Sequence, residues 1–73
     1  MAQKGNIEKK EGVVIEALPN TLFRVKLDDG RELLCYLAGK MRMYRIRILI
    51  GDRVDIEVGP DDDGRGRIVY RYK

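Results

Sequence analysis

Four bases lie within eight residues near the middle of the chain: Lys40, Arg42, Arg45 and Arg47. No acid accompanies them between Leu33 and Gly51. Elsewhere charge is nearly balanced. As far as Glu32 the bases Lys4, Lys9, Lys10, Arg24, Lys26 and Arg31 are matched by Glu8, Glu11, Glu16, Asp28, Asp29 and Glu32. From Asp52 onward the acids exceed the bases by one, so the formal net charge of +3 originates in the middle segment. Uncompensated positive charge on a small domain is the footprint of a polyanion partner. Three of the four bases are arginines, whose planar fork suits bidentate contact with phosphate and stacking on bases. A charge run is as a rule only a solvated face that keeps a segment soluble. The missing acids and the bias toward arginine weigh against that here. A second cluster, Arg65, Arg67, Arg71 and Lys73, likewise holds no acid. If the last strand lies near the middle segment, the two clusters merge into one positive surface. Asp61, Asp62 and Asp63 would then stand at the opposite rim, repel nucleic acid and restrict how the domain docks.

The aromatic residues narrow the kind of polyanion. They are Phe23, Tyr36, Tyr44, Tyr70 and Tyr72, of which Phe23 is expected in the core and Tyr70 half-buried. Binders of single strands offer several stacking platforms on adjacent strands, and this chain has no such group. Contact with the phosphates and shape of a folded RNA suits these residues better than reading a free strand. Met41 and Met43 are expected to fill gaps in the core rather than touch bases.

The missing residue types exclude much else. Histidine, serine and tryptophan are absent, and Thr21 is the one hydroxyl besides the tyrosines. No Ser-His or Cys-His pair can form, nor a zinc site of the usual Cys/His kind. Asp61-Asp62-Asp63-Gly64 lacks the alternation and closing glutamate of a calcium loop and reads as a solvated turn. No glycine-rich phosphate loop leads into a helix. An enzyme is not expected, and neither is a cofactor. The single Cys35 lies in an apolar run and reads as a small buried hydrophobe in a reducing cytosol. No apolar run approaches the roughly 20 residues that span a bilayer, and the N-terminus is polar. The expected location is cytoplasmic, with no membrane partner.

The elements that must position the bases follow from the hydrophobic pattern. At 73 residues, 44% hydrophobic and 37% charged, the chain allows one small domain. Residues 1–6 carry no pattern and read as a flexible N-terminal tail, leaving 7–73 as the folded domain. Residues 13–18 are β-branched and short, a first strand. Pro19-Asn20 supplies turn chemistry. In the second run Phe23, Val25 and Leu27 alternate with Arg24 and Lys26, and Asp28-Asp29-Gly30 signals a hairpin. Residues 32–38 are apolar on both parities, predicting a strand buried along much of both faces. Residues 52–58 alternate cleanly, with Val54, Ile56 and Val58 inward. The last run puts Ile68, Tyr70 and Tyr72 on one face and Arg67, Val69 and Arg71 on the other. Residues 40–44 predict a turn of helix capping the barrel, and 45–48, with period two, an extended piece. Five short strands with a longer third connection predict an all-β, five-stranded oligonucleotide-binding (OB) barrel with a short helical turn between strands 3 and 4. An SH3-like barrel is the rival.

Several motifs in this order resemble bacterial translation initiation factor one. They are Gly39-Lys40-Met41-Arg42, Ile46-Arg47-Ile48-Leu49, Gly51-Asp52-Arg53-Val54 and Gly66-Arg67-Ile68-Val69-Tyr70-Arg71, with Glu16-Ala17-Leu18-Pro19-Asn20 and Phe23-Arg24-Val25 in the first hairpin. The resemblance runs from about Ile7 onward with almost no insertion. It implies an OB barrel that is a monomer when free and binds the A site of the small ribosomal subunit. There it would contact 16S-type ribosomal RNA and a neighbouring ribosomal protein. It would block premature tRNA entry and, with the other two initiation factors, assist selection of initiator tRNA. Lys40, Arg42 and Arg47 match the family's basic motif, and Arg65, Arg67 and Arg71 its basic last strand, which makes these six the expected RNA contacts. Met41, Tyr44 and Arg45 are secondary candidates. The chain departs from the family pattern in four places. Tyr44-Arg45 replaces an asparagine or histidine followed by an aromatic, and Asp61-Asp62 replaces Tyr-Asp. Ala38 replaces a polar residue, and Ile50 a common proline. The alternatives are a general single-domain RNA-binding or RNA-chaperone OB protein, which calls for exposed aromatics on the second and third strands, and an SH3-like peptide-binding module.

Overall fold

The computed structural model describes residues 7–59 and 64–72. The expected tail at 1–6, the aspartates at 61–63 and Lys73 lie outside these residues. In chain order the elements are β1 (Glu8–Leu18), a short 3-10 turn (Pro19–Thr21), β2 (Leu22–Leu27), β3 (Glu32–Leu37), α1 (Gly39–Met43), β4 (Arg53–Val58) and β5 (Arg65–Arg71). The strands close into a barrel in the order β1-β2-β3-β5-β4. Every pair is antiparallel except β3 with β5, which is parallel. This is the OB barrel that the strand count predicts, with its one short helix between the third and fourth strands.

Closure depends on β1, which is longer than its β-branched run indicates. Its first half pairs with β4 and its second half with β2, Gly12 and Val13 belonging to both ladders. The strand must bend sharply there, and Gly12 permits it. A Cβ on Gly12 would lie 2.6 Å from the Lys26 carbonyl oxygen and 2.8 Å from Val25 Cγ1. Beyond the bend, Ile15 is an extra residue between the Val14–Val25 and Glu16–Arg24 pairs, and this bulge turns Ile15 outward to 38% exposure. The turn at Asn20 and Thr21 takes positive φ at both residues.

Alternation fills the interior as expected in β2 and β4. Val14, Val25, Val54, Ile56, Ile68 and Cys35 are sealed from solvent, and Phe23, Leu27 and Leu33 pack with them. Gly66 lets β5 press close: a Cβ there would meet Ile56 Cγ2 at 2.5 Å. Two expectations fail. β3 is not buried on both faces: Leu33 and Cys35 are buried and Leu37 packs on the core, while Tyr36 is 40% exposed on the outer surface. In β5, Val69 is an extra residue between the Ile56–Ile68 and Asp55–Tyr70 pairs. Past that bulge Tyr70 joins the outward Asp55 and is exposed rather than half-buried, while Arg71 pairs with the buried Val54.

Candidate nucleic-acid interface

A five-residue helix has no stability of its own, so α1 must be held by its surroundings. Met41 sinks into the barrel end and is buried. The helix is then closed by two reciprocal hydrogen bonds, the Arg45 N–H to the Arg42 carbonyl at 3.0 Å and the Ile46 N–H to the Met41 carbonyl at 3.0 Å. This is the Schellman arrangement, whose left-handed residue is normally glycine. Here it is Arg45, at φ 54°. Residues 46–49 form no ladder, but the predicted alternation holds: Ile48 is buried, Ile46 packs on the core, and Arg45 and Arg47 face solvent. The loop is pinned at its far end. Asp52 Oδ2 accepts from the Leu49 N–H at 2.8 Å, and Gly51, at φ 98°, donates to the Val14 carbonyl at 2.8 Å.

The result is a basic pole at the α1 end of the barrel. Lys40 and Arg42 are exposed on α1, with Arg45 and Arg47 following on the loop. Arg71 arrives from β5 and donates from Nη1 to the Arg47 carbonyl at 2.9 Å. None of these five bases has a carboxylate within ion-pair distance among the described residues. The other arginines contrast sharply, apart from Arg65. Arg24 pairs with Glu16 at 3.0 Å and Arg31 with Asp29 at 3.1 Å. Arg53 bridges Glu11 and Asp28, and Arg67 pairs with Glu57 at 2.6 Å. Charge that the fold leaves unneutralised is available to phosphates, and these five positions concentrate it.

Beside the pole, Met41, Ile46, Tyr70 and Arg71 line a shallow groove of about 300 Å³. Tyr70 meets Tyr72 edge-on, with centroids 5.1 Å apart, and the Tyr72 hydroxyl donates to Asp55 Oδ1 at 2.8 Å. That hydrogen bond to a carboxylate, followed by burial, pushes the Tyr72 phenol up to about 12. Among the described residues no group of three or more metal-ligating side chains gathers, and no helix is long and apolar enough to cross a membrane.

The sequence model of translation initiation factor 1A / IF-1 matches residues 2–73. The chain belongs to that family. Its fold is similar to the solution structure of translation initiation factor one from the Wolbachia endosymbiont strain TRS of Brugia malayi. The two are 45% identical with a TM-score of 0.77, over 92% of this chain and 79% of that one. It is also similar to part of YjeQ from Thermotoga maritima, at 30% identity and a TM-score of 0.73. That match covers 90% of this chain and 23% of YjeQ. The role of the family is in translation initiation rather than catalysis.

In this initiation factor the six arginines and lysines expected from sequence do not form one surface. Lys40, Arg42, Arg47 and Arg71 converge on the pole. Arg65 and Arg67 lie on the side of the barrel, in register with Leu34 and Tyr36 of β3, and the bulge at Val69 separates their face from that of Arg71. Of the secondary candidates, Tyr44 is 68% exposed and Arg45 points to solvent, whereas Met41 is core. Met43, expected in the core, is 74% exposed. Leu49 and Ile50, which sequence reading named only as a motif residue and a replacement for proline, stand exposed beside the cations. Gly51-Asp52 was the available signal, since a turn there takes Ile50 out of the alternation.

Proposed function

We propose that this initiation factor occupies the A site of the small ribosomal subunit, with the basic pole set against folded ribosomal RNA. Lys40, Arg42, Arg47 and Arg71 contact phosphates, and Arg65 and Arg67 contribute from the side of the barrel. Tyr44 and Arg45 sit at the same rim. A neighbouring ribosomal protein and the other two initiation factors complete the surroundings, and the protein is a cytoplasmic monomer when free. It acts without catalysis. Occupancy denies the site to an elongator tRNA, and preferential binding to one subunit conformation shifts the population toward selection of initiator tRNA. The observation that carries this reading is the set of five bases at one end of the barrel that have no carboxylate partner among the described residues, in a member of the initiation factor family.

Tethered cleavage tests it. The one native thiol, Cys35, is buried, so a Leu49→Cys variant carries an iron chelate at a single exposed position. Hydroxyl radicals from that chelate should cut ribosomal RNA strands lining the A site. Cuts confined to RNA outside the decoding region would reject the proposal.

A further inference from the structure

Away from the basic pole, Ile7, Tyr36, Glu57, Gly59 and Arg67 line a second groove, of about 170 Å³. Strand register builds it. Tyr36 is the partner of Arg67 across the parallel β3–β5 pair, and Arg67 is the partner of Glu57 across β5–β4. One row over three strands thus sets a ring, a guanidinium and a carboxylate side by side on the outer face. Tyr36 is 40% exposed, and Arg67 Nη2 donates to Glu57 Oε1 at 2.6 Å. The ion pair fixes the direction of both heads, and Glu57 Oε2 remains as an acceptor.

These groups match the requirements of one nucleobase. An exposed tyrosine face is a stacking platform. A guanidinium fork pairs with two adjacent acceptors, as guanine offers at O6 and N7. A carboxylate is acceptor-only and takes two adjacent N–H groups, as guanine offers at N1 and its 2-amino group. The two edges of guanine adjoin at the O6–N1 corner, so an arginine and a glutamate reading both must stand in contact, as Arg67 and Glu57 do. Adenine would turn its 6-amino group toward the fork and the lone pair of N1 toward the carboxylate. Uracil lacks two adjacent acceptors, and cytosine, which offers O2 and N3 to a fork, has only its 4-amino group beside them for the carboxylate. We infer that this groove binds a single unpaired guanine of RNA, stacked on Tyr36, with Arg67 on O6 and N7 and Glu57 on N1–H and the 2-amino group. Arg67 thereby reads a base instead of holding a phosphate.

The test is titration of the full chain with the ribotrinucleotides UGU, UAU and UIU, followed by backbone amide chemical shifts of β3 and β5. Inosine in UIU lacks the 2-amino group. UGU should bind about tenfold tighter than UAU, with UIU between them. Tyr36→Phe should keep the affinity for UGU, Tyr36→Ala should weaken UGU and UAU alike, and Glu57→Gln should narrow the gap between UGU and UAU and abolish that between UGU and UIU. The Arg67–Glu57 pair is partly exposed and worth little to stability, so Glu57→Gln is expected to fold. Should it not, Tyr36→Ala against Tyr36→Phe still decides. No binding of UGU, equal binding of UGU and UAU, or an affinity for UGU unchanged in Tyr36→Ala would overturn the inference. With a trinucleotide as probe, none of these outcomes depends on whether the protein occupies the A site.

Discussion

The guanidinium of Arg71 donates to the backbone carbonyl of Arg47 across 2.9 Å. Strand β5 therefore anchors the loop whose next exposed side chain is that of Arg47 itself. The contact exists because β5 carries one residue more than β4 opposes. The extra Val69 returns Arg71 to the face of Val54, toward the helix end of the barrel, while Arg67 stays on the opposite face beside Glu57. A single bulge thus decides which cations share a surface.

The two arginines should differ in what they hold together. Arg71→Ala removes a partly exposed hydrogen bond and is expected to lower unfolding stability by about 0.5–1.5 kcal/mol. Arg47→Ala keeps the carbonyl and loses only a solvated side chain, so stability should change by less than about 0.5 kcal/mol. Both should weaken binding to the small subunit. Urea melts check the first part, and an unchanged midpoint in Arg71→Ala would show that the tether holds nothing.

Arg45 occupies a left-handed position that favours glycine. Arg45→Gly should therefore raise the unfolding free energy, by about 0.5–1 kcal/mol. The same substitution removes a cation from the pole and should lower affinity for the subunit. Stability and binding moving in opposite directions is the signature of strain retained for function. A variant that loses stability would mean that the Arg45 side chain supports the fold.

Salt dependence separates the free bases from the paired ones. Each of Lys40→Ala, Arg42→Ala and Arg47→Ala should reduce the slope of log K against log salt by about 0.9 or less. Arg53→Ala should leave the slope where it is, because the Arg53 fork is already engaged by Glu11 and Asp28. Affinities of these variants measured over a range of potassium concentrations give the answer directly. A slope insensitive to all three pole variants would move the interface elsewhere.

Stability should be flat through neutral pH and fall on the alkaline side. Burial pushes the Cys35 thiol from 9.0 up to about 12, and the hydrogen bond to Asp55 pushes the Tyr72 phenol from 10.0 up to about 12. Both groups bind their protons more tightly when folded. Their contributions are therefore complete below the unfolded values and are lost as pH rises toward 12. Tyr72→Phe should delete the part of the fall that begins near pH 10. Urea midpoints that stay level to pH 12 would contradict the assignment, as would rapid alkylation of Cys35 in the native protein at pH 8.

Much of this fold is written in alternation. Phe23, Val25 and Leu27, and Val54, Ile56 and Val58, declare their inward faces because polar residues separate them. Asp28-Asp29-Gly30 declares the hairpin, and Gly30 takes the positive φ that the turn requires. The bulges at Ile15 and Val69 leave no such mark. Each is a β-branched residue among other strand formers, and only the partner strand reveals that one residue is surplus. The pole was legible as a cluster of bases without acids. Its membership was not, because the bulge brings Arg71 in while Arg65 and Arg67 remain on the side. The Tyr36–Arg67–Glu57 row joins three strands that only the closed barrel places in sequence.

The central claim is that the basic pole fits the A site, and co-sedimentation with purified small subunits at near-physiological salt tests it most directly. Saturable one-to-one binding is expected, abolished by a tRNA already in the A site and undiminished by an excess of unstructured single-stranded RNA. Binding that ignores an occupied A site, or that free single strands compete away, would contradict it and favour a general RNA-binding barrel.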